Sequence, residues 1–417
     1  MLLQAFVAVG TTKPRYEVAD VFRQFGEAYR RQYRLSYEQC KVFNAIIQCR
    51  TAALGGHVDE CLECGRLRIS YNPCNDRHCP KCGAFEKAQW LEDRKAETLP
   101  ITYHHVIFTT DHAINDVARV NKREIYHLLF QAATDTLKAY GQKYLGGEIG
   151  ITAVLHTWGE DLREHIHLHC IVAGGALVQA DDDERWESTS KGWLFPVVAL
   201  SADYRDRFCE GLARLYRRGK LKLVGTCAGL DVEALVQSMQ AKAWEVFSRP
   251  AFEGVEGVYD YLGRYVNRIA ISNYRIVDIS KGQVSFTYHD NKDKAADGRG
   301  QAKVMTLAGV EFMRRFLLHV LPRRFVRIRY YGLHHAGSRR KLLRARVLLG
   351  LRGELPVPPQ LRLVSWLLSI LEEDPRRYPF CGQAVMSRRS EFGPLSHWWQ
   401  MGLRLLGLAP QGQVVVA

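Results

Sequence analysis

Three constellations in this chain carry residue types able to do chemistry. The run Glu164-His-Ile-His-Leu-His-Cys-Ile-Val172 alternates imidazoles with apolar residues. Successive side chains of a strand point to opposite faces, so His165, His167 and His169 share one face while Ile166, Leu168 and Cys170 share the other. Two imidazoles two residues apart on one face are close enough to hold one cation. The preceding run, Val154-Leu-His-Thr-Trp158, supplies a third. With Gly159 to Glu164 as a hairpin loop, the register that pairs 156 with 167 turns His156 toward the same face. His105, on an earlier β-rich run, is the runner-up third ligand. A lone histidine on a strand is more often a hydrogen-bonded core or surface residue; alternation with a facing partner favours a site.

The second constellation is cysteine-rich. Cys61-Leu-Glu-Cys64-Gly is followed, after fourteen residues, by Cys79-Pro-Lys-Cys82-Gly. Two such pairs have the spacing of a zinc ribbon or treble-clef knuckle, in which each turn presents two thiolates and four close a tetrahedron. Cys74, His78 and His57 lie close by. Any of them can replace a member of the quartet, or several can hold a second ion. A closed four-ligand site has no position for water and is structural. The alternative is a set of free buried thiols.

The third is Tyr261-Leu-Gly-Arg-Tyr265-Val-Asn-Arg268. On a helix Tyr261 and Tyr265 emerge one turn apart on one face, with Arg264 and Arg268 as a basic stripe beside them. Aromatic residues at this spacing are usually core. Adjacent arginines suit a phosphate, and a phenol with a pKa near 10 needs help to act as a nucleophile. A histidine-bound cation polarising the phosphate supplies that help.

These groups need elements to position them. Residues 16–53 have helical periodicity, Gly55-Gly56 opens the cysteine segment, and Phe85 to Leu99 closes it as a helix before Pro100. Short β-rich runs follow at His104–Thr110, Ile151–Trp158 and Ile166–Ala173, with a helix-like stretch from Asn115 to Tyr144. That order predicts an α+β fold with a largely antiparallel sheet and flanking helices. Residues 176–250, with a helix near 203–217, read as an insertion. Residues 258–268 read as helix and 269–288 as a hairpin through Lys281-Gly282. Beyond them come a helix, a strand at Phe325–Tyr331, another helix and a tail. Three domains are expected: 1–100, helical and zinc-binding; 101–302, catalytic; and 303–417, a basic DNA-binding region with a tail.

The totals set limits on these readings. The chain has 417 residues, 58 basic and 44 acidic side chains, and a net charge of +14. The excess points to an anionic partner, nucleic acid before membrane. No run approaches the ~18 apolar residues of a spanning helix, and the N-terminus makes a poor secretion signal. Five of the eleven cysteines fall between 61 and 82, which suits metal ligation in a reducing cytoplasm. Residues 313–352 hold twelve basic and no acidic side chains, with Tyr330, Tyr331, His334 and His335 interleaved. Arg323, Arg324, Arg327, Arg329, Arg339, Arg340 and Lys341 from this stretch, with Arg264 and Arg268, are the candidate phosphate contacts, because a basic track with aromatics suits single-stranded nucleic acid.

Taken in order, Arg77-His-Cys-Pro-Lys-Cys82, His105-Val-Ile-Phe-Thr109, Leu155-His-Thr-Trp-Gly159, His165-Ile-His-Leu-His-Cys170, Tyr261-Leu-Gly-Arg-Tyr265, Ala270-Ile-Ser-Asn273 and Phe325-Val-Arg-Ile-Arg329 make the chain resemble a known family. It is the rolling-circle, HUH-type insertion-sequence transposases with two tyrosines and an N-terminal zinc-binding domain, related to Helitron transposases and rolling-circle replication initiators. The resemblance implies an HUH-nuclease-like sheet and a single-strand DNA endonuclease and strand transferase. His167 and His169 would hold Mg²⁺ or Mn²⁺. Tyr261 and Tyr265 would form 5′-phosphotyrosine bonds, acting on single-stranded DNA at element ends and target. No nucleotide cofactor is needed, and the chain shows no Walker loop. The expected setting is the bacterial cytoplasm, at the nucleoid. Relatives carry a further cysteine pair near the C-terminus where this chain has Tyr378-Pro-Phe-Cys381-Gly, so no second zinc site is expected there. The rival readings are a replication initiator or relaxase of the same chemistry, and a non-catalytic zinc-ribbon regulator in which the tyrosines are core.

Overall fold

The computed structural model describes residues 14–180, 183–190, 194–252, 257, 270–294, 300–370, 377, 381–382 and 386–394. In chain order they form helices α1 (Val18–Gln32) and α2 (Tyr37–Gln48), strands β1 (Gly56–Cys61) and β2 (Leu67–Tyr71), α3 (Ala84–Glu97) and β3 (Tyr103–Thr109). Helices α4 (Asn115–Val120) and α5 (Lys122–Leu145) precede β4 (Glu148–Trp158), β5 (Glu164–Ala180) and β6 (Asp183–Ser188). Then come α6 (Val197–Arg217), α7 (Val232–Gln240), β7 (Val246–Phe252), β8 (Ile276–Ser280), β9 (Gln283–Lys294), β10 (Gly300–Ala308) and α8 (Gly309–Leu318). Strand β11 (Ile328–Gly332), helices α9 (Arg339–Leu348) and α10 (Leu363–Ile370), and β12 (Met386–Phe392) complete the set.

Contacts divide the chain into two compact units. The first takes Met1–Trp90, Arg268–Val320 and Pro359–Ala417; the second takes Leu91–Asn267 and Leu321–Pro358. The chain thus changes unit after residues 90, 267, 320 and 358, whereas the sequence pattern suggests breaks after 100 and 302. Packing explains why α8 falls in the first unit. Phe22 of α1 meets Phe43 of α2 and Phe316 of α8, each at 5.3 Å between ring centroids. These apolar faces help to bury one another, and sequence distance is no obstacle to that. Ser36 and Gln39 cap α2 reciprocally. Two three-stranded antiparallel sheets, β12-β1-β2 and β10-β9-β8, complete this unit. Lys281 and Gly282, with φ of 49° and 78°, form the expected turn between β8 and β9.

The second unit is built on one sheet of order β11-β4-β5-β3-β7, with β6 paired to β5. Every pairing in it is antiparallel. Ile125, Leu129, Ala133 and Leu137 repeat every four residues along α5 and are buried. They share a core with Val106, Phe108, Ile151, Ala153, Leu155, Ile166, Leu168 and Cys170. That packing fixes which face of the sheet is dry and turns the alternate residues the other way. Residues 176–250 contribute to the sheet and core of this unit. Strand β7 pairs with β3, and Leu200, Tyr204, Phe208 and Leu212 of α6 are buried in the same core. The low apolar density of 176–193 hides this, because the segment's apolar residues follow later, on one face of α6. No helix among the described residues is long and apolar enough to cross a membrane.

Candidate metal centres

The histidine centre follows from strand order. Strand β5 lies mid-sheet between β4 and β3, so residues from three strands converge on it. The loop 159–163 closes with Leu162 N–H donating to Gly159 O (3.0 Å) and Gly159 N–H to Arg163 O (2.9 Å). Leu162 adopts a left-handed φ of 63°, and its side chain is buried. The resulting register sets His156 directly opposite His167, with a bulge between His156 and Trp158. Trp158 then stacks on His156, ring centroids 5.1 Å apart. One ring nitrogen from each of His156, His167 and His169 lies within 4.8 Å of the others, and all three residues are buried.

Hydrogen bonds orient these rings. Nδ1–H of His167 donates to the His165 carbonyl at 2.7 Å, which leaves Nε2 with its lone pair. That Nε2 stands 3.0 Å from Nε2 of His169, whose Nδ1 is 2.9 Å from Nε2 of His105. His105 stacks on His169 with ring centroids 5.1 Å apart. The runner-up ligand therefore sits behind His169, where it orients the ring. Burial holds the His167 imidazolium well below the usual range; burial, with Arg249 nearby, takes His105 down to about 3. Burial thus disfavours the charged form of these two rings. An octahedral cation with bonds near 2.1 Å sets adjacent ligands about 3.0 Å apart, so the His167–His169 separation fits one.

The cysteines do not assemble as the paired spacing suggests. Cys79 and Cys82 meet Cys49 and Cys74, while Cys61 and Cys64 meet Cys381. In the first group Sγ of Cys82 is 3.5 Å from Cys49 and 3.7 Å from Cys74. A tetrahedron with Zn–S bonds of 2.3 Å has edges of about 3.8 Å. Four thiols this close cannot share their charge evenly. Hydrogen bonds, first from Cys49, hold the Cys82 thiol well below its ordinary range, whereas Cys74 and Cys79 are pushed up. Cys49 itself falls to about 7, chiefly through Cys74. A divalent cation would resolve that competition by replacing the remaining protons.

The structure thus groups Cys79 and Cys82 of the expected quartet with Cys49 and Cys74, and sets Cys61 and Cys64 apart with Cys381. Cys49 belongs to no pair and directly follows the last residue of α2, so no spacing in the sequence marks it. His78 bonds Asp76 at 2.9 Å, and His57 lies 3.3 Å from Asp59; neither joins a cysteine group.

The basic run disperses on folding. Arg314 and Arg315 belong to α8 and pair with Glu311. Lys341 pairs with Glu148 and Arg344 with Glu184. Arg329 lies over the Phe130 ring, 4.0 Å from its centroid, and Arg346 is buried. Arg327 is half-buried, while Arg323, Arg324, Arg339 and Arg340 are exposed. Tyr261, Tyr265, Arg264 and Arg268 lie outside the described residues.

Comparison with known proteins agrees with these features. A family model described as "Putative transposase" matches residues 150–341, and one described as a transposase zinc-binding domain matches residues 21–110. "Putative transposase y4qJ" of Sinorhizobium fredii is 44% identical over 382 residues, 89% of this chain and 94% of that protein. The transposase for insertion sequence element IS801 of Pseudomonas savastanoi pv. phaseolicola is 26% identical over 82% of this chain and 81% of its own length. No solved structure matches. With a zinc-binding domain, a transposase domain and near full-length similarity to y4qJ, the chain belongs to the IS91-type insertion-sequence transposases.

Proposed function

We propose that this transposase nicks and rejoins single-stranded DNA by a rolling-circle mechanism on an HUH-nuclease-like sheet, using tyrosine nucleophiles beside a histidine-held divalent ion. The observation that carries this reading is the buried group of His156, His167 and His169, whose ring nitrogens lie within 4.8 Å of one another, with Nδ1–H of His167 committed to the His165 carbonyl. A purely structural sheet has no use for three buried imidazoles with ring nitrogens this close. Mg²⁺ or Mn²⁺ held there would polarise a phosphate oxygen and offset charge in the transition state.

The chain's own groups do the rest. The phenol oxygen of Tyr261 or Tyr265 attacks phosphorus; the phosphorus–O3′ bond breaks, and the leaving oxygen takes a proton to become a free 3′-hydroxyl. The DNA 5′-phosphate is then esterified to tyrosine. A 3′-hydroxyl of another strand reverses the exchange and returns the proton to the phenol. Bond energy is conserved in the ester, so no nucleotide is consumed. Exposed Arg323, Arg324, Arg339 and Arg340 suit contacts to the DNA backbone. The cysteine centres serve a structural role.

Incubating the protein with Mn²⁺ and labelled oligonucleotides bearing the element's ends tests the reading. A denaturant-resistant protein–DNA adduct is expected, lost when Tyr261→Phe and Tyr265→Phe are combined. No adduct with the wild-type protein, or one that survives the double substitution, overturns it. A regulator that only binds DNA would give the first of these results.

A further inference from the structure

We propose that Cys61, Cys64 and Cys381 form a second metal site, separate from the Cys49 centre, that binds one thiophilic divalent ion and clasps the C-terminal strand to the zinc-binding hairpin. The three sulfur atoms lie within 4.8 Å of one another, and Sγ of Cys61 is 3.4 Å from Sγ of Cys381. These residues are 320 positions apart in sequence, so their approach is a product of the fold.

The backbone is built for ligation on both sides. Around the first pair, Cys61 N–H donates to Arg66 O at 2.9 Å and Gly65 N–H to Cys61 O at 3.0 Å, closing a tight turn. Gly65 takes a left-handed φ of 65° directly after Cys64. Gly382, at 69°, does the same directly after Cys381, as Gly83 does at 81° after Cys82 of the first centre. Each of these glycines permits a turn that an L side chain would strain.

Strand pairing delivers Cys381 to this place. Strand β12 runs antiparallel to β1, with Met386 opposite Cys61. Arg388 bonds Asp59 at 3.3 Å, and Arg389 pairs with Glu60. Met386 and Cys381 pack on Cys61, which is buried, while Cys64 faces solvent. Among the described residues no histidine or carboxylate joins the group. Three thiolates match a soft cation such as zinc, with the fourth position left to a non-cysteine donor or water.

This assignment is independent of the cleavage chemistry, and metal stoichiometry tests it. Full-length protein, purified under reducing conditions, is analysed for zinc per chain and titrated with Co²⁺ to read thiolate-to-cobalt charge-transfer absorption. Two ions per chain are expected in wild type and one in Cys381→Ser. The charge-transfer absorption should fall toward four-sevenths, because three of seven thiolate ligands (four plus three) leave with the ion. Cys64→Ser alters an exposed residue and should lose the same ion without disturbing packing. One ion per chain in folded wild type overturns the proposal, as does retention of two ions in both variants. A mass deficit showing a Cys61–Cys381 disulfide in place of the second ion also overturns it.

Discussion

The cysteine segment and the histidine sheet both gather soft or borderline ligands around a point, yet they do so by opposite means. In the second unit the ligands come from adjacent strands joined by a five-residue loop, and the group sits on a sheet whose other face is a full apolar core. In the first unit the ligands come from separate loops and the end of a helix, with few buried apolar side chains around Cys61. The histidine centre is therefore held in place by packing, and an ion there is free to be functional. The cysteine centre must be held in place by its ion.

That contrast makes predictions of decreasing size. Stripping zinc should unfold the cysteine segment, since structural zinc in small modules is worth on the order of 10 kcal/mol. Hydrogen exchange should show protection lost across 49–82 but kept in β4 and β5; loss in both units together would break the comparison. Phe108→Ala, which empties a fully buried position beneath the histidines, should cost about 3–5 kcal/mol in chemical denaturation. A cost below 1 kcal/mol would mean that the core does not support the site. His167→Ala combined with His169→Ala should reduce Mn²⁺-dependent strand cleavage by at least about a hundredfold, with zinc content unchanged. Cleavage within threefold of wild type would remove the histidines from the reaction.

The smallest effect is one of pH. Burial takes His104, on the core side of β3, down to about 4. An unfolded histidine titrates near 6.5, so between these values the unfolded chain binds the extra proton and stability falls as pH drops. The loss should be complete below pH 4 and largely abolished in His104→Asn. Denaturation midpoints at pH 7.5 and 4.5 measure it; a stability that rises on acidification would contradict the burial of a neutral ring.

Legibility in the sequence followed the range of the interaction. The pairing of His156 with His167 could be read because the alternation of a strand has period 2 and a short loop passes it to its neighbour unchanged. The strands around it, α5 and the turn at Lys281-Gly282 were visible for the same local reason. The cysteine partners were not. Two C-x-x-C pairs announce knuckles without saying which knuckle meets which, and Cys49 and Cys381, which the fold brings beside them, lie outside both pairs. The place of residues 176–250 in the sheet and core was not legible, because their apolar positions are matched only by a core assembled from elsewhere. The basic run looked free of acid in sequence, yet Glu148, Glu184 and Glu311 reach it through the fold.

By itself the sequence determined the family, the antiparallel α+β character and the face on which the histidines lie, since each depends on residue type and short-range period. Only the tertiary structure decided which thiols lie together, which arginines remain exposed, and that His105 stands behind His169. Those outcomes depend on contacts between segments tens to hundreds of residues apart, where burial and strand pairing choose among partners that local spacing leaves equivalent.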